Sequence, residues 1–440
     1  MQPKELPEKG KSKEELFKEM EDRKEEDIPW LQGRSFSLIY HGGSEVKEIG
    51  REAYAHYIAE NGLGPLAFPS LKNFENEIIG MALGLLGGND KSAGSLTSGG
   101  TESILMSVKT VRDYYRDKKP SITQPNMVIP HTAHPGWVKA AHYLGLEVIF
   151  YNVDSGYAAD MDKLKSSLNE NTILMVGSAP TYPHGVIDPI EEMGKIALEK
   201  EIWLHVDACL GGFILPFVRM NGHDIPPFDL SVPGVKSISA DVHKYGFSPK
   251  GTSSILYKEE ALRKYQFYAF ADWPGGVYVT SALAGARPGG AIASAWAVMN
   301  YLGLEGYKKL AKDAMTAAQK LKDAIAAMEN LHILGNPLAT IMGIASDTVN
   351  IYELAEQMKN KNWYIEGQQL PPSIHITISP YHINTIDEFI GDLDEVSRKV
   401  EKLGDKDISQ SAALYGMLGS LPDRKAAKNL ALNFLNDIYK

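Results

Sequence analysis

The sequence has 440 residues, 44% of them hydrophobic and 23% charged, shares that are typical of a globular protein with room for two domains. Its formal net charge of −10 argues against a nucleic-acid partner, because polyanion binding requires a basic surface. Cys209 is the single cysteine, which excludes an intrachain disulfide and a cysteine-based metal site and fits a reducing cytoplasm.

The N-terminal region is rich in charge. Residues 1–30 contain no apolar run of the kind found in signal peptides, and about 20 consecutive apolar residues occur nowhere in the chain. We therefore expect no membrane anchor and a cytoplasmic location. Residues 12–20 predict a short surface helix with a serine cap, and a second helical pattern runs from Ser44 until Gly62, Gly64 and Pro65 end it.

Strand and helix patterns alternate after a predicted helix at 71–86. The predicted apolar strands are 127–130, 148–153, 172–178, 203–209, 237–240 and 253–257, with helices at 135–144, 160–168 and 189–199 between several of them. Buried strands that alternate with helices predict a mostly parallel sheet covered on both faces, hence an α/β fold. Ligands of such sheets bind at the carboxyl ends of the strands.

A smaller α/β unit is predicted in the C-terminal part of the chain. A helical run at 289–328 leads to strand-like segments at 333–344 and 375–379, which flank a helix near 350–360, and the tail is helical from 385. We accordingly divide the chain into an N-terminal arm, a large domain that carries the ligand site and a small C-terminal domain, at 1–55, 56–305 and 306–440.

Two segments suit binding of an anionic, aromatic ligand. Residues 97–103 place Gly99 and Gly100 before an amphipathic run, so their backbone N–H groups would face outward at a helix N-terminus, which is an anion site. His134 follows the strand predicted at 127–130, where its imidazole can stack on a planar ring. Alone, this histidine is weak evidence.

Two further segments add a carboxylate and a lysine. Asp207 ends a buried strand and could keep a ring nitrogen protonated, although such an aspartate is more often a turn or cap residue. Lys244 follows a short strand and could form a Schiff base if burial or the neighbouring His243 and Lys250 lowered its pKa. An isolated lysine here would more often be a surface residue. The four segments together are what pyridoxal 5′-phosphate (PLP) requires.

The motifs resemble those of the group II decarboxylase family, whose members are PLP enzymes of fold type I, the aspartate aminotransferase-like fold. The general motifs are Ser98-Gly99-Gly100-Thr101-Glu102, His134, His205-Val206-Asp207-Ala208 and His243-Lys244. Others are similar to those of the sphingosine-1-phosphate lyases of that family, from about Gly33 to the end of the chain: 183–189, 207–213, 237–241, 249–251, 284–290 and Pro371-Pro372-Ser373-Ile374-His375.

The resemblance implies a role for each matched residue. The implied catalytic residues are Lys244, Tyr182 and Lys250; the cofactor-binding residues are Gly100, Thr101, His134, Asp207, Cys209, His243, Lys244 and Gly285; and the substrate-binding residues are Tyr40, Lys250 and Arg287. No metal is implied. On the sequence alone, Tyr182 is equally well a packing tyrosine and Tyr40 a core aromatic residue. A homodimer is implied, with Gly285 and the region around Tyr40 completing the partner's site.

The reaction implied is retro-aldol cleavage of a phosphorylated long-chain β-hydroxy amine to a fatty aldehyde and phosphoethanolamine. An amino-acid decarboxylase, or a lyase for an unphosphorylated β-hydroxy amine, is the alternative. Two positions depart from the lyase pattern, since Gly64 and Ala286 replace a histidine and a serine that donate to the substrate phosphate. The sequence therefore leaves the head group and chain length of the substrate open.

Overall fold

A seven-stranded sheet forms the centre of the protein. The structure, a computed structural model, describes residues 4–64, 66–403, 408–410, 412–413, 416–417, 421 and 423–439. The strands are β1 Ala93–Thr97, β2 Asn126–Pro130, β3 Glu147–Tyr151, β4 Thr172–Ser178, β5 Trp203–Asp207, β6 Val235–Ala240 and β7 Ser253–Tyr257. They lie in the order β1-β7-β6-β5-β4-β2-β3. Strand β7 runs opposite to the other six, which all point the same way. The predicted α/β class with a mostly parallel sheet is confirmed.

Helices cover this sheet because its central strands are apolar on both faces. Every residue of β4 and β5 is buried, as the continuous hydrophobic runs predicted. The helices up to β7 and just beyond it are α1 Lys13–Lys24, α2 Ser44–His56, α3 Pro69–Leu85, α4 Gly100–Lys118, α5 Gly136–Leu144, α6 Met161–Ser167, α7 Ile190–Glu199, α8 Leu215–Met220 and α9 Glu260–Arg263. The predicted serine cap of α1 is present, since Ser12 and Glu15 form a capping box.

An exposed two-stranded hairpin, β8 Tyr268–Trp273 and β9 Gly276–Thr280, was not predicted. Its β8 strand has no buried residue, so the hairpin packs as an outlying ribbon and not as part of the central sheet. Helix α10 Gly289–Ala327 follows, with a kink at Gly303, whose φ is 53°. A left-handed backbone at that position interrupts the predicted long helix.

The second unit is a four-stranded antiparallel sheet with helices. Its elements are β10 His332–Ile333, β11 Ile341–Ala345, α11 Ile351–Asn360, β12 Glu366–Gln369, β13 Pro372–Thr377, α12 Ile386–Val400 and α13 Arg424–Ile438, and the strand order is β10-β11-β13-β12. The single strand predicted at 333–344 is wrong, because Gly335, at φ 67°, and Pro337 separate two strands. The strand predicted at 375–379 begins earlier, at Pro372.

The chain near its N-terminus contributes to the core of the second unit. Phe36 is fully buried and packs against Trp363, His382 and Phe389. The domain boundaries at 55/56 and 305/306 stay predictions. In the ranges that the structure describes, no helix has the length and apolar character needed to cross a bilayer.

Candidate active site

The candidate catalytic residues follow the carboxyl ends of parallel strands. His134 lies just beyond β2, Tyr182 just beyond β4, and Lys244 just beyond β6, while Asp207 is the last residue of β5. Because parallel strands end at the same edge of the sheet, these side chains converge. They line a cavity of about 390 Å³, here called the lysine cavity, together with other predicted residues: Gly100, Thr101, Cys209 and His243.

Lys244 is paired with a carboxylate to which the sequence analysis gave no role. Its Nζ lies 3.1 Å from Asp241 Oδ2, and His243 Nε2 lies 3.6 Å from the same oxygen. Burial is the largest single influence and lowers the pKa of Lys244, but Asp241 and the other acidic groups around the amine together outweigh burial and raise that pKa well above its ordinary value. The expected lowering is therefore wrong for this lysine. The ammonium must lose its proton before it can act as a nucleophile.

Asp241 is itself held as a carboxylate. Burial tends to raise its pKa, but the charge of Lys244 and a hydrogen bond donated by Ser253 Oγ hold the pKa below its ordinary value. His243 contributes little charge, because burial lowers its pKa to about 4. The local sequence carried a signal for this pair, since Asp241 and Lys244 stand three residues apart in one turn.

The start of helix α4 forms one wall of the lysine cavity. A Cβ added at Gly100 would lie 2.7 Å from Asp241 Oδ2 and 3.0 Å from Cys209 Sγ, so only glycine fits at this position. Glu102 is buried in the same turn, where it accepts hydrogen bonds from the backbone N–H groups of Ser98 at 2.7 Å and Leu283 at 2.8 Å. Glu102 thereby fixes the glycine turn and ties it to the loop that follows the hairpin.

Asp207 is oriented by two donors. Trp137 Nε1 donates to Asp207 Oδ2 at 3.0 Å, and the backbone N–H of Cys209 donates to Oδ1 at 3.2 Å. His134 has its Nδ1 occupied, since the N–H of Gly136 donates to it at 3.0 Å. Burial lowers the pKa of His134, so its ring is neutral at neutral pH. Burial also raises the pKa of the Cys209 thiol, which makes this cysteine a wall of the cavity and not a nucleophile.

Tyr182 is held by residues of the second unit. Its ring stacks on His375 with centroids 4.0 Å apart, and its hydroxyl donates to Glu366 Oε2 at 2.8 Å. The loop that carries it is pressed against β11, because a Cβ at Gly185 would lie 1.9 Å from the carbonyl oxygen of Ile341. Gly185 has a φ of 69°, so both the close approach and the backbone require glycine.

Tyr40 and Lys250 line a second cavity, of about 550 Å³, that shares His243 with the lysine cavity. Lys250 Nζ lies 5.2 Å from the centroid of the Tyr40 ring. Burial, with the nearby charge of Lys244, lowers the pKa of Lys250 to about 8. The lowered pKa expected for the active-site lysine is thus found at Lys250.

Gly285 and Arg287 lie elsewhere. With Gly64 they line a third cavity of about 380 Å³, here called the Gly64 cavity, whose other walls include the hairpin and α3. Arg287 is nearly buried and forms a two-point ion pair with Glu75, at 2.8 and 2.9 Å. Within one chain, the structure does not bring Gly285 or Arg287 to the lysine cavity, so their roles stay predictions.

The lysine cavity fits PLP in its donor set. It offers an amine at Lys244, a carboxylate at Asp207, an imidazole face at His134, and a glycine turn at Gly100 where added side-chain atoms would collide with the wall. These are the groups needed for an aldehyde, a protonated ring nitrogen, an aromatic ring and a phosphate.

Comparisons with known proteins agree with this assignment. Residues 1–343 match the model of the pyridoxal-dependent decarboxylase conserved domain. The chain is 42% identical to the sphingosine-1-phosphate lyase of Arabidopsis thaliana, with 99% of this chain and 81% of the relative covered. It is 38% identical to sphingosine-1-phosphate lyase 1 of Rattus norvegicus, with 99% and 77% covered.

Solved structures show the same relationship. The sphingosine-1-phosphate lyase of Burkholderia pseudomallei superposes with a TM-score of 0.87 at 36% identity, covering 91% of this chain and 94% of that one. A glutamate decarboxylase of Lactobacillus brevis superposes at 0.80 over 92% and 96% of the two chains, but at 17% identity it shows the shared fold alone. The predicted PLP cofactor is confirmed. The chain belongs to the pyridoxal-dependent decarboxylase family and, within it, to the sphingosine-1-phosphate lyases.

Proposed function

We propose that this protein is a PLP-dependent lyase that cleaves the C2–C3 bond of sphingosine 1-phosphate or a close phosphorylated β-hydroxy amine. The products are a fatty aldehyde and phosphoethanolamine. The observation that carries this proposal is the 42% identity to a named lyase along 99% of the chain. An amino-acid decarboxylase is not favoured, because relatives that match 98–99% of the chain at 37–42% identity are named sphingosine-1-phosphate lyases.

The residues that would hold PLP follow from the donor set. Lys244 would attach it, Asp207 would face its ring nitrogen, His134 would lie against its ring, and Gly100 with Thr101 would hold its phosphate. When bound, PLP withdraws electrons from a bond at the amino-bearing carbon of the substrate. Which bond breaks depends on how the protein orients the substrate and where a proton acceptor lies.

Tyr182 is the polar group of the lysine cavity best suited to the substrate hydroxyl. Tyr182 lines the cavity, and its own proton is donated to Glu366. Lys250 and Tyr40, in the adjoining cavity, would receive the substrate phosphate. Of the carboxylates that line the lysine cavity, Asp241 is paired with Lys244, while Asp207 and Glu102 accept hydrogen bonds from N–H groups.

A shared site in a homodimer is part of the same proposal. The hairpin and the following loop expose large apolar side chains: Tyr268, Phe270, Trp273, Val277, Val279 and Leu283. These exposed apolar side chains, which lie on both faces of the hairpin next to the Gly64 cavity, suit a second copy of the chain, whose lysine cavity Gly285 would then complete. Mixing Lys244→Ala chains with Arg287→Ala chains should restore some activity in heterodimers. A fully active monomer in light scattering would contradict the shared site.

The reaction is tested by mass spectrometry of products from a panel of phosphorylated and unphosphorylated amines. We expect an aldehyde and phosphoethanolamine from sphingosine 1-phosphate. The preference for the phosphorylated amine should be smaller than in a lyase that has both the histidine and the serine that donate to the substrate phosphate. Release of CO₂ from amino acids, without aldehyde from any β-hydroxy amine, would replace the lyase by a decarboxylase. Aldehyde from unphosphorylated amines alone would keep the lyase and change its substrate.

A further inference from the structure

Glu366, on β12 of the second unit, touches the predicted catalytic tyrosine from outside the lysine cavity. Tyr182 Oη donates to Glu366 Oε2 at 2.8 Å. Tyr182 lines the cavity and Glu366 does not. The carboxylate therefore makes its contact with the cavity lining through the tyrosine hydroxyl.

The same strand pair fixes the tyrosine ring. His375 stacks on Tyr182 at an interplanar angle of 11°, and Gln368 Nε2 donates both to Pro183 O at 2.9 Å and to His375 Nδ1 at 3.2 Å. His375 Nε2 then donates to Thr377 Oγ1 at 2.7 Å. Burial lowers the pKa of His375 to about 3, so this ring stays neutral and its orientation is fixed. The motif ending at His375 thus has a physical role, the support of Tyr182.

The direction of the Tyr182 hydrogen bond decides what the hydroxyl can do. A tyrosine hydroxyl has one proton, and here it goes to Glu366, so the lone pairs of Oη are left to accept from the cavity. Burial, reinforced by the Glu366 charge, raises the pKa of Tyr182 well above its ordinary value, which rules out a tyrosinate base at neutral pH. Tyr182 can take up a proton only while its own proton moves to Glu366.

We propose that Glu366 is a positioning residue that orients Tyr182 and accepts its proton during bond cleavage. This inference rests on the proposed lyase function. The hydroxyl proton at C3 moves to Tyr182 Oη as the tyrosine proton moves to Glu366 Oε2. The O–H electron pair forms the aldehyde C=O bond, and the C2–C3 pair stays with C2. Protonation of C2 through Tyr182 then restores the carboxylate.

The test uses holoenzyme and sphingosine 1-phosphate. Glu366→Gln keeps the shape and an acceptor for Tyr182 but takes up no proton, so we expect kcat to fall about 100-fold with KM within about twofold. Glu366→Asp keeps the charge and should retain more of kcat. Glu45→Gln is the matched control, because Glu45 Oε2 accepts from Tyr301 at 2.7 Å on the surface, and it should leave kcat unchanged. Melting temperature and cofactor absorbance report folding and loading of each variant.

A double-mutant cycle separates action through Tyr182 from an independent role. We expect Tyr182→Phe combined with Glu366→Gln to be no slower than Tyr182→Phe alone, since residues that act as a unit are not additive. Two results would overturn the role of Glu366 and leave the lyase function standing. One is a Glu366→Gln variant as active as an active wild type, and the other is losses that multiply in the double variant. A wild type that cleaves no β-hydroxy amine in the panel would overturn the lyase function and this inference with it.

Discussion

The lysine cavity and the Gly64 cavity are of similar volume, about 390 and 380 Å³, but differ in chemistry. The first is lined by paired and hydrogen-bonded polar groups at strand ends. The second is mostly apolar, and its buried Arg287 is neutralised by the partly buried Glu75. Bond-breaking groups are thus assembled by the sheet of one chain. Of the two positions that depart from the lyase pattern, Gly64 lines the mostly apolar cavity and Ala286 stands between Gly285 and Arg287, which also line it. Catalysis and phosphate preference should respond to different substitutions.

The largest effect is expected in the lysine cavity. Lys244→Ala should lower turnover by about 10⁴-fold, because Lys244 supplies the single amine among the described residues that line this cavity. Turnover measures this loss. Mass spectrometry of peptides from enzyme reduced with borohydride shows which lysine carries the cofactor label. Lys72→Ala, in the Gly64 cavity, is the control and should keep the label on Lys244. A wild-type label on any other lysine would contradict the assignment.

The next effect concerns stability at the Gly64 cavity. Glu75→Ala leaves the buried Arg287 guanidinium without its carboxylate, so the free energy of unfolding should fall by about 3–5 kcal/mol. Denaturant unfolding of the holoenzyme measures it. Glu48→Ala removes an exposed carboxylate from Arg51 and should change little. A loss at Glu75 as small as that at Glu48 would show that the buried pair contributes no more than a surface pair.

Phosphate preference should respond at the Gly64 cavity. Gly64→His with Ala286→Ser restores two donors, each worth roughly 1.5–3 kcal/mol with a charged acceptor, or about one to two decades in kcat/KM for phosphorylated over unphosphorylated amine. Among the residues that the structure describes, a Cβ at Gly64 would have Ala67 Cβ, at 3.4 Å, as its one neighbour within 4 Å, so the position has room. The ratio of the two kcat/KM values cancels effects on folding and cofactor loading. Equal changes in kcat/KM for the two substrates would show that the substrate phosphate does not contact these two positions.

The smallest effect is a pH dependence from Lys250. Its pKa of about 8 means that the ammonium loses its proton as the pH rises through that value. The substrate phosphate stays fully ionised over this window, because its second pKa is about 6. The preference for the phosphorylated amine should therefore decline several-fold between about pH 7 and 9. Lys250→Gln should remove this dependence, and a preference that rises with pH would assign Lys250 a different role.

Much of the large sheet could be predicted because the residues within each strand carry the hydrophobic pattern that identifies it. Strand β4 was predicted at its observed bounds, since an unbroken apolar run is what a doubly covered strand requires. The hairpin was missed because β8 and β9 are largely exposed and lack a buried face to pattern them. Helix α10 was predicted in length but not in its kink, which depends on one glycine.

The candidate site was predictable where strand ends carry it. His134 and Lys244 follow predicted strands and Asp207 lies at the end of one, and their convergence follows from a parallel sheet. Glu366 was missed, because 184 residues separate it from Tyr182 and no local pattern connects a second-unit strand to a loop after β4. The raised pKa of Lys244 was missed for a different reason. Asp241 is near in sequence, but the conformation of the turn sets the distance between its carboxylate and Lys244 Nζ, and the sequence does not give that conformation.

The burial of Phe36 in the second unit has a consequence for synthesis. His382 stacks on Phe36. Its Nε2 also donates to the backbone oxygen of Ser35, a hydrogen bond between residues that lie 347 positions apart. At about 5–20 residues per second, a ribosome needs roughly 20–70 s to cover that interval. Throughout it, Phe36 is without the core that receives it, while the large sheet can already form. Packing of Phe36 therefore waits until the residues around His382 have been made, and this aromatic side chain needs shielding from solvent until then.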